Sequence, residues 1–385
     1  MEANVSARQF RTRARIAAHA LWDLMARPEA GPGEAPFHAE AITADWVTRV
    51  FEDQAPGARA ESIRIVGGDD GSSVRRGIQV EWNEAGAGLP TRLFAKSTPT
   101  LATRLSAGMA APLEGRFLLE VRPSLDIEAP VCRWSGRDPD SGRSLHLFDD
   151  LTVTRGASFC QVDTVIGREQ AERMIDTLAT LHGSLRQVAE ALSWLNTYEA
   201  FFEAGRRSGI QDGHEQALTK AAPVIPARLM ARRDDIWPAA ARAAESHALQ
   251  PRTVIHSDVH LGNWYVTGDG GMGLSDWARV CRGLWARDVA YMLTAALSVE
   301  DRRAWEMDLI ERYLRKSQGF GIAIGREEAM RLYRQQMFPA LLMWTPTLCP
   351  PPMLPDMQPE RMSLAMIGRI TAAIDDHQSL DSFEE

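Results

Sequence analysis

The sequence predicts an α+β protein of two lobes, with residues 1–150 in the first and 151–385 in the second. The first lobe is rich in short stretches in which apolar and polar residues alternate, which is the pattern of antiparallel strands. The second is dominated by long stretches with apolar residues at helical spacing. We therefore expect an N-terminal lobe built on an antiparallel sheet with a helix, followed by a larger, mainly helical C-terminal lobe.

The first lobe opens with an Arg-rich segment, residues 1–26, that lacks the continuous apolar core of a signal peptide. We predict that it forms an amphipathic helix packed against the body of the protein, with membrane or organelle targeting as the alternative. Pro112 stands where another helix could begin. The same patterns predict helices at 43–51 and 113–121, an antiparallel meander of strands at 61–68, 74–82 and 91–98, and further strands at 129–136 and 143–151.

The second lobe is predicted to contain three short strand-like pieces, all between residues 252 and 277, among its helices. The Pro-rich stretch 345–360 is not expected to form regular helix or sheet, because proline lacks an amide donor. The long helices are predicted at 168–185, 234–249, 299–317 and 326–344.

The amino-acid composition argues against several classes of partner and binding site. The formal net charge is −8, which argues against nucleic acid as the main partner. The four cysteines are far apart and form no Cys-x-x-Cys pair, so neither a zinc ribbon nor a disulfide scaffold is expected, and a cytoplasmic location fits. No stretch approaches the roughly 18 apolar residues that would span a bilayer. The oligomeric state is left open.

The strongest chemical signal is the pattern H-x-D-x-x-x-x-N, which runs from His256 through Asp258 to Asn263 and is followed by Asp276. Phosphoryl transfer uses such a set: one carboxylate orients and deprotonates the attacking hydroxyl, while an amide oxygen and a second carboxylate hold magnesium against the phosphates. Magnesium prefers hard oxygen ligands. Asp258 is therefore the predicted base, and Asn263 and Asp276 are the predicted metal ligands.

A glycine-rich segment between the first two strands is a second candidate site. Gly67, Gly68, Ser72 and Ser73 could present backbone amides to phosphate oxygens, although such residues also form ordinary hairpin turns. The segment lacks the G-x-x-x-x-G-K-[ST] pattern, so a P-loop is not predicted.

The segments HSDVHLGNWY, GLSDW and RGLWARDVAYML resemble the aminoglycoside phosphotransferase and choline kinase superfamily, and especially its bacterial ecdysteroid-kinase-like branch. The resemblance implies a bilobal protein-kinase-like fold and an ATP- and Mg²⁺-dependent kinase that phosphorylates a small-molecule alcohol, with GTP not excluded as the donor. It makes Asp258 the catalytic aspartate and His256 a structural residue of the catalytic loop. His260 would either contact phosphate or support the loop.

The same resemblance implies a nucleotide site in the first lobe. Lys96 would neutralise the inner phosphates, paired with Glu114, which we prefer over Glu120. The backbone of Asp149 and Leu151 would form the hinge that binds adenine. In the second lobe, Asp288 is expected to hold the catalytic loop by hydrogen bonds, and His182 to be a satisfied core histidine.

Two other classes of protein are weighed against this reading. His256, Asp258 and His260 form H-x-D-x-H, which could belong to a metallohydrolase, but such sites usually need further ligands from elsewhere. A nucleotide-binding pseudokinase is a further alternative, although Asp258, Asn263, Asp276 and Lys96 are all present.

The acceptor is the most open question. A bulky, fairly apolar alcohol such as a steroid, terpenoid, macrolide or hydroxyacyl compound is preferred, and an aminoglycoside is the alternative. The preference rests on the ecdysteroid-kinase-like resemblance and on four apolar residues that flank the Pro-rich stretch and could line a pocket. These residues are Met343, Trp344, Met353 and Met357.

Overall fold

The computed structural model describes residues 2–31, 33–70, 73–106, 111–350 and 358–384. The chain divides into two compact units, one of residues 1–124 and 130–157 and the other of residues 125–129 and 158–385. The division falls at Ala157, beyond the sequence-based boundary at 150. The reason is local: Arg155 and Ala157 each donate their amide to the carbonyl of Leu151, at 3.0 Å, so this segment turns back on itself.

The first unit is built on a five-stranded antiparallel sheet in the order β1-β2-β3-β5-β4. The predicted strands are confirmed, with ends that shift by a few residues. Lys96 on β3 faces Arg75 on β2 and His146 on β5. The strands are β1 (Ala60–Asp70), β2 (Val74–Trp82), β3 (Arg92–Ser97), β4 (Cys132–Arg137) and β5 (Ser144–Asp149).

Helices cover this sheet and contribute to its core. Helix α2 starts at the predicted point because the hydroxyl of Thr43 caps the amide of Trp46 at 3.2 Å. Its Val47 and Phe51 are fully buried against apolar strand residues such as Leu93. The predicted helix near Pro112 is present as a short helix followed by a π turn at Phe117–Val121. The helices of this unit are α1 (Glu2–Ala26), α2 (Ala44–Phe51), α3 (Leu101–Ser106), α4 (Ala111–Arg116) and α5 (Leu151–Thr154).

The second unit is mainly helical, which confirms the predicted fold class. It also has two small sheets, β6-β8-β9 and β10-β7. Its strands are β6 (Ser158–Phe159), β7 (Thr253–Ile255), β8 (Trp264–Val266), β9 (Met272–Leu274) and β10 (Cys281–Gly283). Its helices are α6 (Arg168–Leu185), α7 (Tyr198–Arg207), α8 (Ile210–Lys220), α9 (Ala227–Met230), α10 (Arg233–Leu249), α11 (Ala286–Ala296), α12 (Val299–Gln318), α13 (Arg326–Leu348) and α14 (Glu360–Asp376).

Every residue of α11 is buried, and this helix forms the centre of the unit. Helices α13 and α14 pack against it. In the part of the chain that the structure describes, no helix is long and apolar enough to cross a membrane.

The prediction for the Pro-rich stretch is wrong in its first residues. Helix α13 continues to Leu348 and contains Pro339 and Pro346. Proline inside a helix costs about 3 kcal/mol, but this end of α13 is buried, and packing offsets the loss. The hydroxyl of Thr347 also donates to the carbonyl of Met343 at 2.7 Å. Met353 and Met357 lie outside the described residues.

Candidate active site

The loop that carries Asp258 and Asn263 lies between β7 and β8 and ends in a single 3₁₀ turn. Ser275, directly after β9, donates its amide (2.8 Å) and its hydroxyl (2.9 Å) to the carbonyl of Asn263. These two bonds hold the end of the loop beside residue 276. The hairpin thus brings the backbones of the two predicted metal ligands together.

The side chain of Asp258 is about one-fifth exposed (20%), so a solvent-borne hydroxyl can reach it. Its Oδ1 accepts a hydrogen bond from the Tyr291 hydroxyl at 3.4 Å. The Nε2 atom of His260 lies 4.0 Å from the same oxygen. Both neighbours approach from one side, which orients the carboxylate.

Tyr291 is suited to act as a hydrogen-bond donor here. Its burial, and then the negative charge of Asp258, raise the pKa of Tyr291 well above its ordinary value. The hydroxyl therefore keeps its proton. The Arg287 guanidinium lies 4.5 Å from the centre of the Tyr291 ring and fixes the ring in place.

His260 supports the loop from within. Its Nδ1 accepts the amide of Gly262 at 3.1 Å, and its ring meets Trp344 edge-on, with centroids 5.3 Å apart. Because Nδ1 is an acceptor, the proton of a neutral ring lies on Nε2, the atom nearest Asp258. A contact with phosphate stays a prediction.

His256 is fully buried and each of its ring nitrogens has a partner. Nε2 donates to the carbonyl of Ser275 at 3.0 Å, and Nδ1 accepts the amide of Asp258 at 3.2 Å. Burial lowers the pKa of His256, so the ring is neutral. These contacts support the loop, and the role of His256 in the reaction stays a prediction.

Asp288 anchors the same loop from the first turn of α11. Its carboxylate accepts the amides of His256 (2.7 Å) and Ser257 (2.8 Å), and His182 lies 3.2 Å away. Burial would raise the pKa of Asp288, but the hydrogen bond from His182 and nearby positive charge hold it below its ordinary value. The other nitrogen of His182 lies 2.9 Å from the Tyr313 hydroxyl. The expected hydrogen bonds to the loop are thus present, and His182 is a core histidine.

The predicted metal ligands Asn263 and Asp276 lie on backbone that is held in a defined conformation. The Asn263 side-chain amide donates to the Asp258 carbonyl at 2.7 Å, which leaves its oxygen for another partner. Asp276 adopts left-handed backbone angles (φ 58°), and Ser257 does so as well (φ 68°). Such strain is typical of functional sites.

The donor set also fits the metal. Among the described residues, no group of three or more His, Cys, Asp or Glu side chains could by itself hold a metal ion. Magnesium is usually bound through one or two protein oxygens together with water and substrate phosphates. The same finding gives no support to a metallohydrolase site.

In the first unit, Lys96 and Glu114 form an ion pair. The Lys96 ammonium lies 3.0 Å and 2.9 Å from the two carboxylate oxygens of Glu114. The Lys96 side chain is 16% exposed, so it can still reach a ligand. Glu120 pairs with Arg116 instead, at 2.8 Å. The part of this pair in nucleotide binding stays a prediction.

Gly115, next to Glu114, lies at a close contact between α4 and the sheet. A Cβ at Gly115 would collide with the hydroxyl of Ser135, which in turn is 2.9 Å from His146 Nδ1. The other nitrogen of His146 lies 3.7 Å from Glu114. The missing side chain therefore lets α4 approach the sheet closely enough for Glu114 to meet Lys96.

The glycine-rich segment contains a bulge between β1 and β2. Gly67 and Gly68 have φ of 113° and 143°, and a Cβ at Gly68 would collide with the carbonyl of Arg75. Only glycine fits these positions. Ser73 is buried, so its side chain would reach a phosphate only if the loop opened. Ser72 lies outside the described residues.

A family model now identifies the chain's relatives. The model of the phosphotransferase enzyme family, APH, matches residues 93–329, which is more than half of the chain. The chain belongs to this family. It is therefore an enzyme that transfers a phosphoryl group to a small molecule, as the resemblance implied. The ecdysteroid-kinase-like branch stays a prediction. No curated protein sequence matches the chain.

Solved structures of phosphotransferases and kinases share the fold. The microcompartment-associated aminopropanol kinase is 12% identical, with a TM-score of 0.50 over 86% of this chain and 96% of that one. Macrolide 2'-phosphotransferase MphH from Brachybacterium faecium is 16% identical, with a TM-score of 0.45 over 78% and 91%. Spectinomycin phosphotransferase APH(9)-Ia, solved with ADP and spectinomycin, is 11% identical, with a TM-score of 0.47 over 88% and 99%.

The predicted hinge of this phosphotransferase lies at the end of β5. The Asp149 amide donates to the carbonyl of Val131 at 3.0 Å, and the Asp149 carboxylate binds Arg133 through two bonds of 2.8 Å. The Leu151 carbonyl accepts two amides of the following turn. The Asp149 carbonyl and the Leu151 amide are then the candidate groups for a nucleotide base.

Sequence reasoning did not assign Tyr291 a function. The residue is part of RGLWARDVAYML, the motif from which Asp288 was interpreted. Tyr291 lies three positions after Asp288 on α11, so both face the same side of the helix. That spacing was the signal in the sequence that could have drawn attention to Tyr291. The contact with Asp258 can be recognised only in the folded structure.

Proposed function

We propose that this phosphotransferase transfers the γ-phosphoryl group of ATP to the hydroxyl of a small-molecule alcohol, with Asp258 as the base. The observation that carries the proposal is the Asp258 carboxylate, held at Oδ1 by Tyr291 and His260 on the loop that also presents Asn263. This leaves Oδ2 as the atom that receives the acceptor's proton. General-base assistance of this kind contributes roughly 10²–10⁴ in rate.

The nucleotide part of the proposal assigns Asn263 and Asp276 to Mg²⁺ and Lys96 to the inner phosphates. Bound magnesium would neutralise charge on the phosphates. Glu114 steadies the Lys96 ammonium through its two contacts. Gly67 and Gly68 present backbone to the phosphates, and the Asp149 carbonyl with the Leu151 amide would bind the base. Because a hinge of this kind uses backbone groups, GTP is an alternative donor.

For the acceptor we propose a bulky, fairly apolar alcohol of steroid, terpenoid, macrolide or hydroxyacyl type. Trp344 lies edge-on to His260, which adjoins the Asp258 carboxylate. The methyl group of Met362 is near Gly262 on the same loop, since a Cβ there would lie 3.7 Å from it. Aromatic and thioether groups favour an apolar ligand. An aminoglycoside is the alternative acceptor.

Phosphoryl transfer is tested with labelled ATP, magnesium and a panel of apolar and aminoglycoside alcohols. Asp258→Asn should lower kcat by at least about 100-fold while leaving nucleotide affinity near wild type. Asp276→Ala should also lose magnesium-dependent thermal stabilisation by ATP. Asp269→Asn is the matched control, because Asp269 lies in the turn of the same hairpin. Full activity in Asp258→Asn would disprove the assignment.

The same panel of alcohols also distinguishes a kinase from a pseudokinase and an apolar acceptor from a cationic one. A pseudokinase would be stabilised by ATP and magnesium but would phosphorylate no alcohol. Trp344→Ala should lower kcat/KM for an apolar acceptor by about tenfold and change the KM for ATP little. Preferential turnover of aminoglycosides, unaffected by Trp344→Ala, would replace the apolar acceptor with a cationic one.

A further inference from the structure

The N-terminal helix α1 exposes four large apolar side chains within five consecutive residues. Leu21, Trp22, Leu24 and Met25 are 59%, 57%, 69% and 68% exposed. Elsewhere among the described side chains, large apolar residues exposed to this degree occur singly. A cluster of this kind on a surface indicates a binding interface.

The opposite side of α1 is fixed to the first unit. Ile16 and Asp23, which are seven residues and two helical turns apart, are both buried. The Asp23 carboxylate binds the guanidinium groups of Arg104 and Arg143, the latter through Nε at 2.8 Å. With 3.6 residues per turn, Leu21 and Met25 therefore point away from the body of the protein.

The charges on α1 are arranged around this apolar face. Between residues 11 and 26, the exposed charged residues are Arg11, Arg13 and Arg15, and the one acidic residue of this stretch, Asp23, is buried. Arg15 also forms an exposed ion pair with Asp140, at 2.8 Å. By helical spacing, Arg11 and Arg15 lie on one side of the apolar face and Arg13 lies on the other. The chain as a whole has a net charge of −8, so this helix is a local exception.

We propose that α1 binds the surface of an anionic lipid bilayer. The apolar side chains enter the headgroup region, and the flanking arginines meet lipid phosphates, which is the arrangement of helices that lie in a membrane interface. A second copy of the chain fits less well, because two such faces would place the arginines of one copy against the arginines or the apolar groups of the other.

The test is vesicle flotation of the full chain. Vesicles of phosphatidylcholine and phosphatidylglycerol in equal parts are compared with phosphatidylcholine alone, at low and high salt. The wild type should float with anionic vesicles and less so at high salt. Trp22→Ser with Met25→Ser, and separately Arg11→Gln with Arg13→Gln and Arg15→Gln, should each weaken binding by about tenfold or more.

The matched control is Leu249→Ser, which removes an apolar side chain that is 81% exposed at the end of α10. It should float as the wild type does. Phosphorylation of a water-soluble acceptor should be unchanged in all these variants, so this proposal can fail without affecting the catalytic one.

Three outcomes would overturn the proposal. The first is no flotation with either vesicle. The second is equal flotation of wild type and variants. The third is a dimer in light scattering that Trp22→Ser with Met25→Ser converts to a monomer, which would make this face an interface between copies of the chain.

Discussion

The loop that carries Asp258 and the hairpin of β1 and β2 both contain residues with a part in the proposed function, yet they are stabilised in different ways. The loop is held by buried groups: the fully buried Asp288 carboxylate accepts two loop amides, and His256 uses both ring nitrogens. The end of the hairpin is held by ion pairs at the protein surface. Asp70 meets Arg76 at 2.8 Å, with the Asp70 side chain 69% exposed.

The difference concerns how precisely each region must be positioned. When one partner of a buried charge network is removed, the remaining groups have neither a partner nor water to compensate their charge. The free energy of unfolding typically falls by about 3–5 kcal/mol. Exposed ion pairs are screened and contribute about 0–1 kcal/mol. The chain thus fixes the predicted base through buried groups, whereas the ion pairs of the glycine hairpin can be removed at little cost. Substitutions in the two regions test this contrast.

Asp288→Ala should lower the free energy of unfolding by about 3–5 kcal/mol, because the amides of His256 and Ser257 lose their buried acceptor. Urea unfolding measures the effect. Asp70→Ala, in the exposed hairpin, is the control and should change stability by less than about 1 kcal/mol. If the Ala variant does not fold, Asp288→Asn, which retains one acceptor oxygen, should show a smaller loss. Equal losses at Asp288 and Asp70 would contradict the contrast.

Acid should destabilise the second unit through its buried histidines. Burial lowers the pKa of His247 to about 4, and both its nitrogens are bonded, to the Leu284 amide and to Gln336, at 3.0 Å. The unfolded chain takes up this proton near pH 6.5, so stability is complete above about pH 6.5 and is lost as the pH falls toward 4. The loss should be about 1.4 kcal/mol per pH unit for this residue.

Urea unfolding at about pH 7 and about pH 5 measures this dependence. His247→Gln should unfold with a shallower pH dependence than the wild type. Val165→Ala, which changes an exposed side chain that does not titrate, is the control and should keep the wild-type dependence. An unchanged dependence in His247→Gln would show that other groups cause the acid sensitivity.

Gly68→Ala should destabilise the hairpin by about 1–3 kcal/mol, because its φ of 143° is unfavourable for alanine and the added Cβ would meet the Arg75 carbonyl. We also expect weaker ATP binding, measured by thermal shift. Gly88→Ala is the control, since a Cβ there has nothing within 4 Å. Wild-type stability in Gly68→Ala would show that the bulge can rearrange freely.

Arg76→Gln should have the smallest effect, below about 1 kcal/mol, although Arg76 contacts both Asp70 and Glu40. The measurement is again urea unfolding. A loss comparable to that of Asp288→Ala would mean that the surface pairs act as a network, and the contrast between the two regions would disappear.

Much of the fold followed from local patterns. The alternation of residues 74–82 and the apolar spacing of 168–185 correspond to β2 and α6 at the same residues. Local patterns failed where packing outweighed them. Pro346 predicted an irregular segment, but the buried end of α13 keeps it in a helix.

The spacing of Asp258, Asn263 and Asp276 along the chain was enough to predict phosphoryl transfer, because that reaction uses one carboxylate to orient the attacking hydroxyl and further oxygen groups to hold magnesium. The groups that orient these side chains could be recognised only in the folded protein. Tyr291 meets Asp258 across 33 residues and His182 meets Asp288 across 106. Likewise, Glu114 rather than Glu120 meets Lys96, because Gly115 allows a close approach to the sheet. Such contacts depend on how distant segments pack, which local residue patterns do not encode.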